Sequence, residues 1–152
     1  MRGFLRRGLL VLLFLYGCAV PEPPFGTVAL PPVPAGMSRV FIYRTLEPYE
    51  STDIANVLMN GTWVGASANG AVFYRDVRPG QYTIAIPATE DYPNQFKTVV
   101  LRPGQTAYVR IESTSTWAVC PVTTNCYPTF FVRVMDPAAA YGEMRSLSLS
   151  AG

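Results

Sequence analysis

Three cysteines and no histidine set the chemistry open to this chain. Catalysis near neutral pH asks for a group of matching pKa beside a nucleophile or a metal. Without His, the hydroxyls of Ser113, Thr114, Ser115 and Thr116 lack the commonest general base, and Lys97, the single Lys, is the one substitute. The acids Asp53, Asp76, Glu90, Asp91 and Glu112 would have to pair in space to work as a glycosidase does; scattered surface carboxylates account for them equally. Cys120 and Cys126 fall two ligands short of a zinc site. Glu90-Asp91 ahead of Tyr92-Pro93 falls short of the roughly six to eight oxygens that calcium takes. The reading is a protein that is not an enzyme and holds no metal or cofactor.

What the two downstream cysteines can do is pair. They are separated by Pro-Val-Thr-Thr-Asn, and Pro121 and Asn125 favour a turn that brings the ends together. A disulfide between Cys120 and Cys126 is expected, with two free thiols as the alternative. Aromatic residues gather around this loop: Trp117 and Tyr127 within it, Phe130 and Phe131 just after, while Tyr49 and Tyr92 fall in other predicted loops. Trp117, Tyr127, Tyr49 and Tyr92 are therefore a candidate binding loop set, since aromatic rings offer large rigid contact area with a polar handle. A stapled hairpin tip explains residues 117–128 as well, and Phe130 is expected in the core.

The third cysteine, Cys18, has a different setting. Arg2, Arg6 and Arg7 precede an unbroken apolar block over residues 9–16, which is shorter than the roughly 20 residues a spanning helix needs. The block ends on Leu15-Tyr16-Gly17-Cys18, which resembles the lipobox of bacterial lipoproteins. The resemblance implies that residues 1–17 are a leader and that Cys18 becomes the acylated N-terminus, with several acyl chains giving a firm anchor. A buried Cys closing an apolar core segment is the alternative. Ala19 after the anchor resembles an outer-membrane sorting pattern. Loss of the leader leaves nine basic against ten acidic residues, a net charge of −1, so the basic balance of the whole chain belongs to the leader. No basic stripe remains for nucleic acid.

These residues must be positioned by the elements between them. Six prolines over residues 18–36 prevent helix and central strand, so this segment reads as an extended tether reaching up to roughly 50 Å. Packing of residues 25–30 on the domain is the alternative. From residue 37 the pattern is strands and turns. Val40-Phe41-Ile42-Tyr43 suits a strand covered on both faces. Asn60-Gly61 joins strands over 54–59 and 62–66 in a type I′ hairpin, and Asn69-Gly70 is expected to do the same before a strand over 71–77. Asn60-Gly61-Thr62 also matches a glycosylation pattern, for which the turn is the simpler account. Arg78-Pro79-Gly80-Gln81 and Arg102-Pro103-Gly104-Gln105 are identical type II turn candidates.

Period-two alternation follows each of them. Tyr82, Ile84 and Ile86 oppose Gln81, Thr83 and Ala85; Ala107, Val109 and Ile111 oppose Tyr108, Arg110 and Glu112, one face buried and one wet. Strands over 96–101 and 129–135 complete seven or eight. Asp136-Pro137 is an N-cap with Pro at N1, and Ala140, Tyr141, Met144 and Leu147 recur at helical spacing, predicting a short C-terminal helix across one edge or end. The fold class is all-β, an antiparallel immunoglobulin-like or transthyretin-like β-sandwich over residues 37–152.

Four blocks carry a wider likeness: 34–44 (Pro-Ala-Gly-Met-Ser-Arg-Val-Phe-Ile-Tyr-Arg), 59–65 (Met-Asn-Gly-Thr-Trp-Val-Gly), 76–82 (Asp-Val-Arg-Pro-Gly-Gln-Tyr) and 101–110 (Leu-Arg-Pro-Gly-Gln-Thr-Ala-Tyr-Val-Arg). Together they resemble a family of small bacterial envelope lipoproteins with a β-sandwich domain of unknown function. The resemblance implies a tethered protein in the cell envelope, at the inner leaflet of the outer membrane and facing the periplasm, and carries over no catalytic residue. The expected function is non-catalytic contact with an envelope protein. A binding module for glycan or another small envelope ligand is the alternative.

Overall fold

Turn chemistry fixes the ends of four strands, and the structure, a computed structural model, describes residues 22–48, 54–87, 94–113 and 129–152. At the tip of the first hairpin Asn60 and Gly61 both take positive φ (50° and 78°), which joins β2 (Ala55–Met59) to β3 (Thr62–Ser67) as a type I′ turn requires. Gly104 (φ 77°) makes the turn from β6 (Phe96–Leu101) to β7 (Thr106–Ser113), closed by Gln105 N–H donating to the Arg102 carbonyl at 3.0 Å. The other two turns differ from expectation. Asn69-Gly70 does not close a hairpin, because β3 and β4 (Ala71–Val77) lie in different sheets. Gly80 is extended (φ 159°) and begins β5 (Gly80–Ala85), paired with Leu101.

Two sheets result: a mixed one in the order β8-β7-β1-β4-β9 and an antiparallel one in the order β3-β2-β5-β6. Here β1 is Ser38–Tyr43, β8 is Phe130–Val134 and β9 is Ser148–Leu149. This is an all-β sandwich with one short helix, as the alternation implied. The five-stranded sheet departs from an all-antiparallel pattern, since β1 runs parallel to β7 and β4 parallel to β9. Between the sheets, Val40, Ile42, Val57, Phe73, Ile84, Val109, Ile111 and Val132 form the main core. The sheets approach closely where Gly65 faces Phe73: a β-carbon there would lie 2.8 Å from the ring.

A second core lies on the outer face of the five-stranded sheet. There Phe41, Tyr43 and Val72 are covered by Phe25, Ala140, Met144 and Leu147. The helix α1 (Pro137–Met144) is capped as expected, the Asp136 carboxylate accepting from Ala138 N–H at 2.9 Å and Ala139 N–H at 3.3 Å. It lies across a sheet face rather than an edge or end. The wet face expected for Tyr108, Arg110 and Glu112 is half-buried for the same reason. The Pro-rich segment supplies the rest of the cover. Phe25 N–H donates to the Leu147 carbonyl at 2.7 Å and Gly26 N–H to Arg145 at 2.9 Å, while the Phe25 ring meets Phe41 edge-on at 5.4 Å. Of the tether expected over residues 18–36, the part for which packing was the alternative, residues 25–30, is thus part of the folded body, and Pro23 and Pro24 join it.

Candidate functional site

Most charged residues of the five-stranded sheet pair with one another, while Arg75 of β4 donates to the Tyr74 and Ala151 carbonyls at 2.8 and 3.0 Å. Arg39 faces Asp76 across β1 and β4 and donates twice, at 2.7 and 2.8 Å, with a third bond to the Pro31 carbonyl at 2.9 Å. Its guanidinium carbon lies 4.2 Å from the centre of the Tyr74 ring. The hydrogen bond to Asp76 raises the Arg39 pKa and keeps the side chain cationic. Arg110 and Arg133 stand directly opposite on β7 and β8, a like-charge pair that costs stability unless an anion lies between them. Glu112 fills that role, bonding both, and Glu143 of α1 adds a bond to Arg110 at 2.7 Å. Burial lowers the Arg110 pKa; the bonds to Glu112 and Glu143 outweigh it, and the net shift is upward. Glu143 also accepts from the Tyr43 hydroxyl at 2.7 Å, and burial with that bond raises the Tyr43 pKa. Such closed networks hold a covering layer in place and offer no nucleophile. Among the described residues, no group of three His, Cys, Asp or Glu is placed to hold a metal ion.

The four-stranded sheet is built differently. Its strands contain one charged residue, Lys97, whose amine is bonded to Asn94 at 2.7 Å. Register brings a row of apolar side chains together on the outer face. The Asn60-Gly61 turn sets Leu58 against Trp63, with a bulge between Val57 and Leu58 that shifts the pairing by one. Asn60 then ties the hairpin to β5: its N–H donates to the Thr83 carbonyl at 2.8 Å and its Oδ1 accepts from Thr83 N–H at 2.8 Å. This sets Leu58 against Ala85, and Ala85 in turn faces Phe96. Trp63, Leu58, Ala85 and Phe96 thus form one line across four strands, about 14 Å from end to end at ~4.8 Å per strand.

Both ends of this line stand in solvent: Trp63 is 56% exposed and Phe96 62%, and Val100 on the same face of β6 is 69% exposed. The polar groups beside them are uncharged. Asn56 Oδ1 accepts from the Trp63 indole N–H at 3.3 Å, and the Thr83 and Thr98 hydroxyls meet at 3.2 Å. Exposed apolar side chains grouped in this way, on a face that carries no charge among the described residues, suit a contact surface. The row escaped the sequence reading. Phe96, Thr98 and Val100 alternate visibly, but the pairing of β2 with β5 that adds Trp63 and Leu58 joins residues far apart in the chain.

All residues expected to carry function from sequence, Cys18, Cys120, Cys126, Trp117, Tyr127, Tyr49 and Tyr92, lie outside the described residues. The strand ends bordering two of those segments do meet, Val132 N–H donating to the Asn94 carbonyl at 2.8 Å. At that end Arg44 is fully buried, its guanidinium over the Phe130 ring at 5.1 Å. Neither a family model, nor a curated protein, nor a solved structure matches the chain.

Proposed function

We propose that this protein is a non-catalytic lipoprotein of the bacterial cell envelope, anchored through Cys18 and acting by protein contacts made on the outer face of the four-stranded sheet. The observation that carries the reading is the contrast between two sheet faces. The face bearing Arg39, Asp76, Arg110 and Glu112 is covered by the chain itself, whereas on the other face Trp63, Phe96 and Val100 are each more than half exposed and no charge stands beside them among the described residues. Burying two aromatics of this kind typically anchors an interface, each contributing on the order of 2 kcal/mol. The anchor reading rests on the basic flank, the short apolar block and Gly17-Cys18, and membership of the small envelope lipoproteins rests on the turn blocks quoted above.

The test has two parts. Fatty-acid labelling of the intact protein should disappear in Cys18→Ala. A photoreactive residue at position 98 should capture a specific envelope protein in cells. A glycan reading is favoured by one feature, the amide and hydroxyl groups of Asn56, Thr83 and Thr98 beside two exposed rings, which suit stacking with hydrogen bonding to sugar hydroxyls. Thermal stabilisation by an envelope oligosaccharide, with no protein captured from position 98, would favour it over the protein partner.

A further inference from the structure

We infer that the β9 edge of the sandwich is held against the lipid surface, because the chain between the anchor and the first fixed residue is shorter than the sheet is wide. The inference rests on acylation of Cys18 as proposed above. Its structural part is the clamp on the Pro-rich segment. Leu149 N–H donates to the Pro23 carbonyl at 3.1 Å, Pro24 bridges Ser148, and Phe25 and Gly26 add the bonds to Leu147 and Arg145. The Phe25 ring is 5% exposed. Gly26 permits the close approach, since a β-carbon there would come within 2.8 Å of the Arg145 carbonyl oxygen.

Pro23 is therefore the first fixed point among the described residues, five residues after Cys18. Fully extended, five residues span at most ~18 Å. This replaces the roughly 50 Å available to a tether running to residue 36. The fixed point also has a definite place. It lies outside β9, the last strand in the order β8-β7-β1-β4-β9, so the β8 edge is four strand spacings, about 19 Å, farther away. A leash of this length keeps the β9 edge nearest the bilayer and leaves the β8 edge outermost.

The chemistry of the edge indicates what holds it there. Among the described residues its exposed charges are Glu22 and Arg145, one of each sign, so covalent reach and not headgroup charge sets the distance. The sheets then stand upright on the membrane. Gly65 of β3 packs near Phe73 and Gly152 on the β9 side, while Asn94 ahead of β6 bonds Val132 of β8. The row from Trp63 to Phe96 accordingly runs away from the lipid, and its face looks sideways along the membrane plane. The protein partner it fits is one that is itself membrane-bound.

The test uses full-length acylated protein in phosphatidylethanolamine and phosphatidylglycerol vesicles carrying an acceptor lipid. A fluorescent amino acid is placed at Ser146, beside the clamp, or at Val134, on the β8 edge. Energy transfer to the lipid should be several-fold stronger from position 146 than from 134. The difference should persist at about 1 M salt, where the screening length is ~3 Å. It should vanish when a flexible linker of about 20 residues, with a mean span of ~25 Å, is inserted between Pro21 and Glu22. Equal transfer from the two positions in the unmodified chain overturns the placement. A preference that survives the linker overturns the leash as its cause. Cell-derived protein whose Cys18 carries no acyl chain, or acylated protein that stays off the vesicles, instead refutes the anchor, and the mass of the Cys18 peptide together with vesicle binding separates that result from the other two.

Discussion

Removal of one ring should release the Pro-rich segment while leaving the sandwich folded. Phe25 is nearly fully buried and makes edge-on contacts with Phe41 at 5.4 Å and Tyr141 at 6.2 Å. Phe→Ala in a core costs about 3–5 kcal/mol. Phe25 sits at the margin of the second core, where neighbours can settle, so the lower figure of about 3 kcal/mol applies. The three backbone bonds from residues 23–26 to 145–149 contribute about 1 kcal/mol each and do not depend on the ring. They are set against the cost of ordering six backbone units, about 1–2 kcal/mol apiece and less for prolines. Bonds alone do not hold the segment, and Phe25 decides the balance. At 1.4 kcal/mol per factor of ten, Phe25→Ala should raise the population with the segment released about 100-fold. Native-state proteolysis by thermolysin reads this directly, through cleavage before Val28 or Leu30, sites that the substitution leaves intact. Cleavage within threefold of the unmodified protein would refute the clamp. A melting transition lost altogether would show that the second core, and not the segment alone, depends on this ring.

Three further outcomes follow from the charge networks and the cysteines. The Tyr43 pKa lies above its ordinary value of 10.0, so folding stability is complete below pH 10 and falls as pH rises beyond it. Urea unfolding at about pH 9 and 11 should show that loss, and Tyr43→Phe should flatten it while costing ~1–2 kcal/mol at neutral pH through Glu143; an unchanged slope would refute the assignment. Asp76→Ala should cost about 2–3 kcal/mol, below the ~3–5 of a fully buried pair because Asp76 keeps 22% of its side-chain exposure, whereas an effect under 0.5 kcal/mol would mean that Arg39 finds equal partners in Pro31 and Tyr74. Cys120 and Cys126 are proposed to be bridged, so alkylation should need a reductant; the bridge closes about seven residues and contributes at most about 2.5 kcal/mol, leaving the Cys120→Ser, Cys126→Ser protein folded.

How far the sequence could be read depended on the range of the interactions. Asn60-Gly61 and the Asp136-Pro137 helix start are local, since the residues that need positive φ or supply the cap are themselves the signal. The two Arg-Pro-Gly-Gln segments show where local reading stops. Gly104 is held in its turn by Met37, which accepts from its N–H at 2.8 Å, while Gly80 is drawn straight by pairing with Leu101. Identical tetrapeptides therefore take different shapes. Tyr108, Arg110 and Glu112 read as a wet face because the residues that cover them, Phe25 and Glu143 among others, come from both ends of the described chain. The Trp63 row was hidden for the same reason, with only its β5 and β6 members visible as alternation. The Pro-rich look of residues 18–36 concealed its apolar anchors, Phe25 in the second core and Leu30 packed against it.

The measurement that bears most directly on the central claim compares photocrosslinking in cells from position 98 with and without Trp63→Ser and Phe96→Ser. Both side chains are more than half exposed, so the double variant should change stability by less than about 1 kcal/mol. A discrete protein adduct from position 98 that falls at least tenfold in the double variant, with no such adduct from position 134, is the predicted result. An adduct of equal yield in the double variant, or the same adduct from both positions, would contradict the assignment of the four-stranded face as the surface through which this protein acts.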